Sequence, residues 1–384
     1  MATVYRDKII NRIIENTDTS STLGIIIASP SESPPYKYHW IRDAALVMRV
    51  FIDMYERTGD SIYFQYIINY IENETKVQEL RTISGLGEPK VKTDCSVFDG
   101  DWGRPQNDGP ALRGITLIKV VNLFKYKYST IISKNIVPII VKDLRYILRN
   151  YDKICFDIWE EKLGWHFYTR IVQLKFMRDC IFNYRILGIN EEELSELHTK
   201  YNQLLSNIKD HFQENTIISS FDENGKIIKY DDSANILAFC HIDYDEEILK
   251  VVPIEYIHHT CDELLKYFRN KYNNDDIHLI GRYKEDAYYD GQIWIICSLA
   301  LAQVYLELYK RLNVVDKKSP MHRAKSNPNN DYMIIANEIL ERILSLDVDF
   351  ILPEQFNPIT NEYFSAKKLT WNYSELYILY NQLK

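Results

Sequence analysis

No pair of cysteines in this chain has the spacing of a redox or metal motif. Cys95, Cys155, Cys180, Cys240, Cys261 and Cys297 are scattered, with no CxxC among them. A chain of 384 residues has core enough to do without disulfides, so reduced thiols in a cytoplasmic setting are the expectation. Excess positive charge is also lacking. The net charge is −8, and no dense Lys/Arg cluster carries interleaved aromatics, which excludes a nucleic-acid partner. The basic residues Lys317, Lys318, Arg323 and Lys325 sit among Pro and Asn and read as a solvated loop. No apolar run is long enough for a membrane span. The longest, Ile293 to Leu308, contains Ser298 and Gln303 and reads as a buried core helix. The chain opens Met1-Ala2-Thr3-Val4-Tyr5-Arg6-Asp7, with charge where a secretory signal is apolar, so export is expected only if a leader was trimmed. A metal site is not expected either. His258 and His259 are adjacent and point about 100° apart on a helix, and no second cluster completes four ligands. No cofactor and a monomeric state are the expectation.

What the chain has in quantity is helix. Ile9, Ile10, Ile13 and Ile14 recur at helical spacing within Val4 to Glu15. Further helices are expected over 44–55, from 60, from Pro110, and over 138–150, 167–187, 191–211, 234–241, 254–271, 291–312, 331–346 and 367–383. Pro110 suits a helix start. Strand signals are few: 217–221 and 227–230, forming a hairpin around Asn224-Gly225. About twelve helices alternate with long loops bearing Gly and Pro, and loops of that length are uncommon unless functional. No composition shift marks a boundary. A single all-α domain over 1–384 is expected, with an active site in loops at one end.

The tryptophans mark those loops. Trp40, Trp102, Trp159, Trp165, Trp294 and Trp371 each travel with an acid or an arginine. In Asp157-Ile158-Trp159-Glu160-Glu161 two carboxyls follow an indole directly. A carboxyl pressed against an indole and removed from water favours its neutral form, which a general acid near neutral pH requires. On these residues alone the alternative is a pair of acids stabilising a helix N-terminus. Indole planes beside carboxylates and guanidinium groups suit carbohydrate, whose apolar ring face packs on an aromatic and whose hydroxyls pair with Arg and Asp. Hydrolysis of a glycosidic bond needs two carboxyls flanking it. Glu160 is one candidate, and Glu354, beside Gln355, is the other.

These motifs, taken in order, resemble the glucoamylases, glycoside hydrolase family 15. The resemblance runs through Ser29-Pro30-Ser31, Tyr36 to Asp43, Gly85 to Lys90, Trp102 to Gln106, Asp108 to Arg113 and Asp157 to Glu161. It continues in Gly281-Arg282-Tyr283, Glu285-Asp286, Tyr289, Glu354-Gln355-Phe356 and Leu369 to Tyr373. It implies an (α/α)6 barrel and an inverting exo-hydrolase. Such an enzyme releases β-D-glucose from non-reducing ends of glycogen, starch or malto-oligosaccharides, at α-1,4 bonds and more slowly at α-1,6. It implies Glu160 as general acid and Glu354 as general base. Gln355 and Tyr36 fall where the family holds the attacking water and steadies the charged sugar. Arg42, Asp43 and Arg282 match the grip on the terminal glucose. Trp102, Trp159 and Glu161 match contacts at the scissile bond and the next sugar, and Trp294 an aromatic wall.

Inversion places a water between base and anomeric carbon, so the two carboxyls are expected about 6.5–9.5 Å apart. No starch-binding module is apparent in the 384 residues, which favours soluble glycogen or dextrins. A trehalase-like or isomaltose-type specificity is the rival within the fold. A non-catalytic glucoamylase-like domain, as in phosphorylase kinase regulatory subunits, is the rival outside catalysis. Asn73-Glu74-Thr75 and Asn372-Tyr373-Ser374 fit the glycosylation pattern, the second inside a motif and expected to be buried.

Overall fold

The computed structural model describes residues 2–316 and 329–384. The basic residues from Lys317 to Lys325 lie outside the described residues. By packing, the chain divides into two compact units. One comprises Ile13–Glu214 and Ile218–Tyr230. The other comprises Met1–Arg12, Asn215–Ile217 and Asp231–Lys384.

Each unit solves the same burial problem in the same way. In the first, the helices Ile41–Thr58, Asp108–Phe124 and Phe167–Phe182 pack side by side. They are buried on nearly every face, as helices apolar all round must be. Ser61–Glu79, Val137–Asn150 and Glu191–Lys209 cover them one for one, each with a single apolar stripe inward. In the second unit the inner helices are Ser233–His241, Ile295–Asp316 and Thr370–Leu383. Ile257–Tyr272 and Asn329–Leu344 lie on their outer side, and Tyr5 of the helix Ala2–Asp18 packs on Phe350 and Tyr380. Twelve long helices are thus present among the described residues, at the places where apolar periodicity puts them.

Three sequence expectations change. The helix expected over 291–312 starts at Ile295, because Gly291 is left-handed and Ile293–Trp294 is a strand. The one expected over 167–187 ends at Phe182, with a separate turn Tyr184–Leu187. The one expected over 367–383 starts at Thr370, because Tyr363–Lys367 is a strand. The expected hairpin exists as Ser220–Phe221 with Ile227–Lys229, but it is the outer half of a four-stranded sheet completed by Cys155–Phe156 and Leu163–His166. Strands of two to five residues are too short to show alternation, and buried ones show none at all.

Both sequon asparagines are internal. Asn73 and Asn372 are each fully buried, and Asn372 donates to the Pro353 carbonyl at 2.7 Å. Surface glycosylation of the folded chain at either is excluded on access alone. Among the described residues, no helix is long and apolar enough to cross a membrane.

Candidate active site

In the first unit, Glu160 stands in the turn of a hairpin. Cys155 pairs with Gly164 and Phe156 with Leu163, and Asp157 closes the turn between them. Its carbonyl accepts the Glu160 N–H at 2.9 Å, and its N–H donates to the Lys162 carbonyl at 3.0 Å. Its Oδ1 accepts the N–H groups of Glu161 and Lys162 at 2.8 and 3.0 Å. Burial would raise this carboxyl, but Lys229, His166 and those two N–H groups hold it below the usual carboxylate range. The turn leaves Glu160 itself left-handed, at φ 66°, a conformation that costs a non-glycine residue and that the surrounding bonds must impose.

Three donors converge on the Glu160 carboxylate. The indole N–H of Trp40 reaches Oε1 at 2.7 Å and that of Trp102 reaches Oε2 at 2.6 Å. The Arg42 guanidinium donates to Oε1 at 3.2 Å. Trp159 is itself buried in the turn, and the two indoles that donate to Glu160 approach it by their polar edges rather than by their faces. Tyr36 packs on Trp40 at 5.7 Å between ring centroids, and Trp40 meets Trp102 edge-on at 6.1 Å. Glu161 Oε2 lies 3.9 Å from the Lys229 ammonium.

Arg42 and Asp43 lie in the first turn of Ile41–Thr58, and Asp108 in the first turn of Asp108–Phe124. Arg42 donates to Asp108 and to Gln106, both at 3.0 Å, and its Nε lies 3.5 Å from Asp43. Burial pulls the guanidinium down, yet Asp108, Asp43 and Glu160 together hold it above its ordinary value. Asp43 fares differently. Burial pushes it up to about 6, opposed by Arg42 and reinforced by Glu160 and Asp108.

Lys90 was not singled out as a site residue in the sequence, although it closes the Gly85-Leu86-Gly87-Glu88-Pro89-Lys90 motif. Its ammonium is enclosed by four aromatic rings: Trp102 at 3.1 Å, Trp40 at 4.2 Å, Phe98 at 4.4 Å and Tyr38 at 4.7 Å from the centroids. Burial lowers it to about 8, with the charge of Glu160 acting in the opposite direction. The loop that presents Trp102 is tied down by Arg104, which pairs with Glu88 at 2.7 Å. Gly103 is required there: a Cβ would stand 2.7 Å from the Glu160 carbonyl oxygen.

In the second unit, Glu354 and Gln355 lie on the strand Pro353–Phe356, the centre of a three-stranded sheet. Gln355 pairs with Trp294 on one side and Phe364 on the other. The register shifts between Pro353 and Gln355, so strict alternation of the Glu354 and Gln355 side chains is broken. Glu354 is buried, and its Oε2 accepts the Ser365 hydroxyl, which lies 3.0 Å from the Tyr288 hydroxyl. Gln355 is fully buried, and neither polar atom of its side-chain amide has a hydrogen-bond partner among the described residues. Arg282 pairs with Asp286 through two bonds of 2.6 and 2.7 Å. Its guanidinium lies 4.9 Å from the Trp294 ring and 5.3 Å from that of Tyr288.

Within the first unit, then, Tyr36, Arg42, Asp43, Trp102 and Glu160 gather around Trp40, with Trp159 and Glu161 on the same turn as Glu160. Within the second, Arg282, Trp294, Glu354 and Gln355 gather around one sheet. Trp40, Lys90, Asp157, Lys229 and Ser365 were not assigned from the sequence. Trp40 and Lys90 lie inside quoted motifs, whereas Lys229 and Ser365 carry no local signal. Among the described residues, no three His, Cys, Asp or Glu side chains are placed to hold a metal ion.

A family model described as glycosyl hydrolases family 15 matches residues 3–380. Glucoamylase-1 of Schizophyllum commune is 29% identical over 91% of this chain and 67% of its own length. The intracellular sporulation-specific glucoamylase of Saccharomyces cerevisiae is 27% identical over 97% of this chain and 81% of its own. In structure, a glucoamylase from Saccharomycopsis fibuligera aligns with all of this chain and 95% of its own at a TM-score of 0.85, with 23% identity. The fold class is accordingly all-α, of the (α/α)6 barrel type.

Proposed function

The chain belongs to glycosyl hydrolases family 15, a glycoside hydrolase of the glucan 1,4-α-glucosidase type, and on that premise we propose an inverting exo-acting enzyme. It removes terminal glucose from the non-reducing ends of soluble α-glucans, at α-1,4 bonds and more slowly at α-1,6, and releases β-D-glucose. The observation that carries the reading is the convergence of two indole N–H groups and one guanidinium on the Glu160 carboxyl. A carboxyl that merely stabilised a helix end would need no such fixed orientation, whereas a proton donor must meet one particular oxygen.

Glu160 protonates the glycosidic oxygen as the C1–O bond breaks. Glu354 takes a proton from the water that attacks C1 from the opposite face, so the configuration inverts. Gln355 suits the handling of that water, because its buried amide needs a small polar partner that the described residues do not supply. Tyr36 steadies the charge that develops on the sugar. Arg42, Asp43 and Arg282 hold the terminal glucose, Trp102, Trp159 and Glu161 line the scissile bond and the next sugar, and Trp294 forms a wall. A monomeric cytoplasmic enzyme completes the proposal. Six cysteines, none in a disulfide among the described residues, support the setting, and cell fractionation tests it.

The deciding measurement is proton NMR of the anomeric region within minutes of adding enzyme to a short malto-oligosaccharide. Early β-glucose supports exo-hydrolysis with inversion. Early α-glucose keeps the hydrolase and rejects the roles given to Glu354 and Gln355. Absence of glucose rejects the substrate.

A further inference from the structure

The Glu160 turn rests on a charge delivered from elsewhere in the chain. Lys229 ends the strand Ile227–Lys229, which pairs with Ser220–Phe221, and Ser220 in turn pairs with His166 on the strand leaving the turn. His166 fastens the junction, with Nδ1 2.8 Å from the Ser220 hydroxyl and Nε2 2.9 Å from the Cys155 carbonyl. The second hairpin thereby brings the Lys229 ammonium beneath Asp157. It donates to Oδ2 at 2.9 Å and stands 3.9 Å from Glu161 Oε2. Lys229 is 8% exposed and Asp157 3%, so the pair is sheltered from water and from screening by salt.

We propose that Lys229 is a positioning residue for the proton donor: through Asp157 it fixes the Asp157–Lys162 turn, and with it the direction of Glu160. The inference rests on the glucoamylase reading of the site. Asp157 fills both roles only as a carboxylate, with Oδ1 accepting two backbone N–H groups and Oδ2 facing the ammonium. Without a cation opposite, a buried carboxyl takes up a proton. The proton settles on Oδ2, which faced the ammonium, and Oδ1, now the oxygen of a neutral acid, accepts the two turn N–H groups without the strength a charged acceptor gives. Glu160, left-handed at φ 66°, has no intrinsic preference for its conformation, so the loosened turn lets its carboxyl drift from the Trp40 and Trp102 N–H groups. The loss falls on proton donation and not on the folding of the helices.

The test compares two substrates whose leaving groups differ in their need for a proton. Maltose requires protonation of the departing sugar, whereas α-D-glucosyl fluoride releases fluoride without a proton donor. Lys229→Met keeps the aliphatic stem and deletes the charge. Its kcat on maltose is expected to fall roughly 30-fold, in line with misplacement of a catalytic group by less than an ångström, while kcat on the fluoride stays within about threefold of wild type. Lys229→Arg is expected to restore maltose turnover to within about fivefold, because the charge returns. Equal losses on both substrates, no loss on either, or an arginine variant no better than the methionine one overturn the proposal. If Lys229→Met does not fold, Asp157→Asn is assayed instead. The same selective loss on maltose supports the proposal, and a uniform loss rejects it. Wild-type enzyme inactive on both sugars rejects the glucoamylase reading itself, which is a separate outcome.

Discussion

The two carboxyls to which chemistry is assigned sit near arginines that are shared in different ways. Around Glu160, one guanidinium serves three acids: Arg42 contacts Asp108 at 3.0 Å, Glu160 at 3.2 Å and Asp43 at 3.5 Å. In the unit that carries Glu354, Arg282 is held by Asp286 in a buried, bidentate pair. Asp43 rises to about 6 chiefly because it is buried, and the charges of Glu160 and Asp108 add to that. The Arg282–Asp286 pair is matched within itself. The guanidinium beside the proposed acid is thus shared among several carboxylates, while the one in the unit of the proposed base is locked in a bidentate pair.

The largest test of that contrast is to neutralise each carboxyl. Glu160→Gln and Glu354→Gln should each lower kcat on maltose by roughly 10²–10⁴-fold, the range of a lost acid or base. They should part on α-D-glucosyl fluoride, where Glu160→Gln keeps most of its activity and Glu354→Gln does not. Identical behaviour on both substrates would erase the division between acid and base.

Stability should also respond with opposite sign in the two regions. Asp286→Asn leaves Arg282 buried without its counter-charge and should cost about 3–5 kcal/mol. Asp43→Asn should do the reverse at pH 7. The folded state raises Asp43 from 3.8 to about 6, so its contribution is present below pH 3.8 and lost as pH rises through 6. At ~1.4 kcal/mol per tenfold, the ionised form weakens the fold by about 3 kcal/mol at pH 7. The amide should recover much of that at pH 7 and nothing at pH 3.5, while weakening the proposed grip on glucose. Urea titrations at both pH values read the difference. A destabilised Asp43→Asn at pH 7 would mean that the two clusters are alike.

How much of this was visible beforehand follows from the range of each signal. The twelve helices were legible because apolar periodicity is local and long. Trp40 and Trp102 could be linked to charge by composition, but their shared partner is Glu160, 120 and 58 residues away, and no spacing rule encodes that. Trp371 shows the converse. It lies within the Leu369 to Tyr373 motif that carries the resemblance, yet its indole N–H donates to Glu375 at 3.0 Å, inside the core. Ser365 and Lys229 were illegible because strand register, not nearby sequence, brings them to their carboxylates.

A smaller effect probes the close approach of two loops in the acid-bearing unit. A methyl at Gly103 would lie 2.7 Å from the Glu160 carbonyl oxygen and 2.7 Å from the Phe156 ring. Neither the backbone nor a packed ring yields cheaply, so Gly103→Ala should destabilise by about 1–3 kcal/mol. By displacing the turn it should also cut kcat on maltose about tenfold or more. In the unit carrying Glu354, no glycine stands against the backbone of that residue among those whose neighbours are described. Full activity in Gly103→Ala would show that the Glu160 turn tolerates displacement and does not need its tight mount.

The smallest effect is expected at Ser365, and it decides whether the settled character of the base-bearing region reaches Glu354. The Ser365 hydroxyl donates to Glu354 Oε2, and Tyr288 stands 3.0 Å behind it. Ser365→Ala removes one charge-assisted donor from a buried carboxylate, a change of about 1.5 kcal/mol, or roughly tenfold at most in kcat. Because the hydroxyl orients the base and touches no part of the proton donor, maltose and α-D-glucosyl fluoride should suffer equally. That is the opposite of the selective pattern expected at Lys229. A loss confined to maltose would move Ser365 into the service of proton donation, and the two carboxyls would then differ in their surroundings without differing in their work.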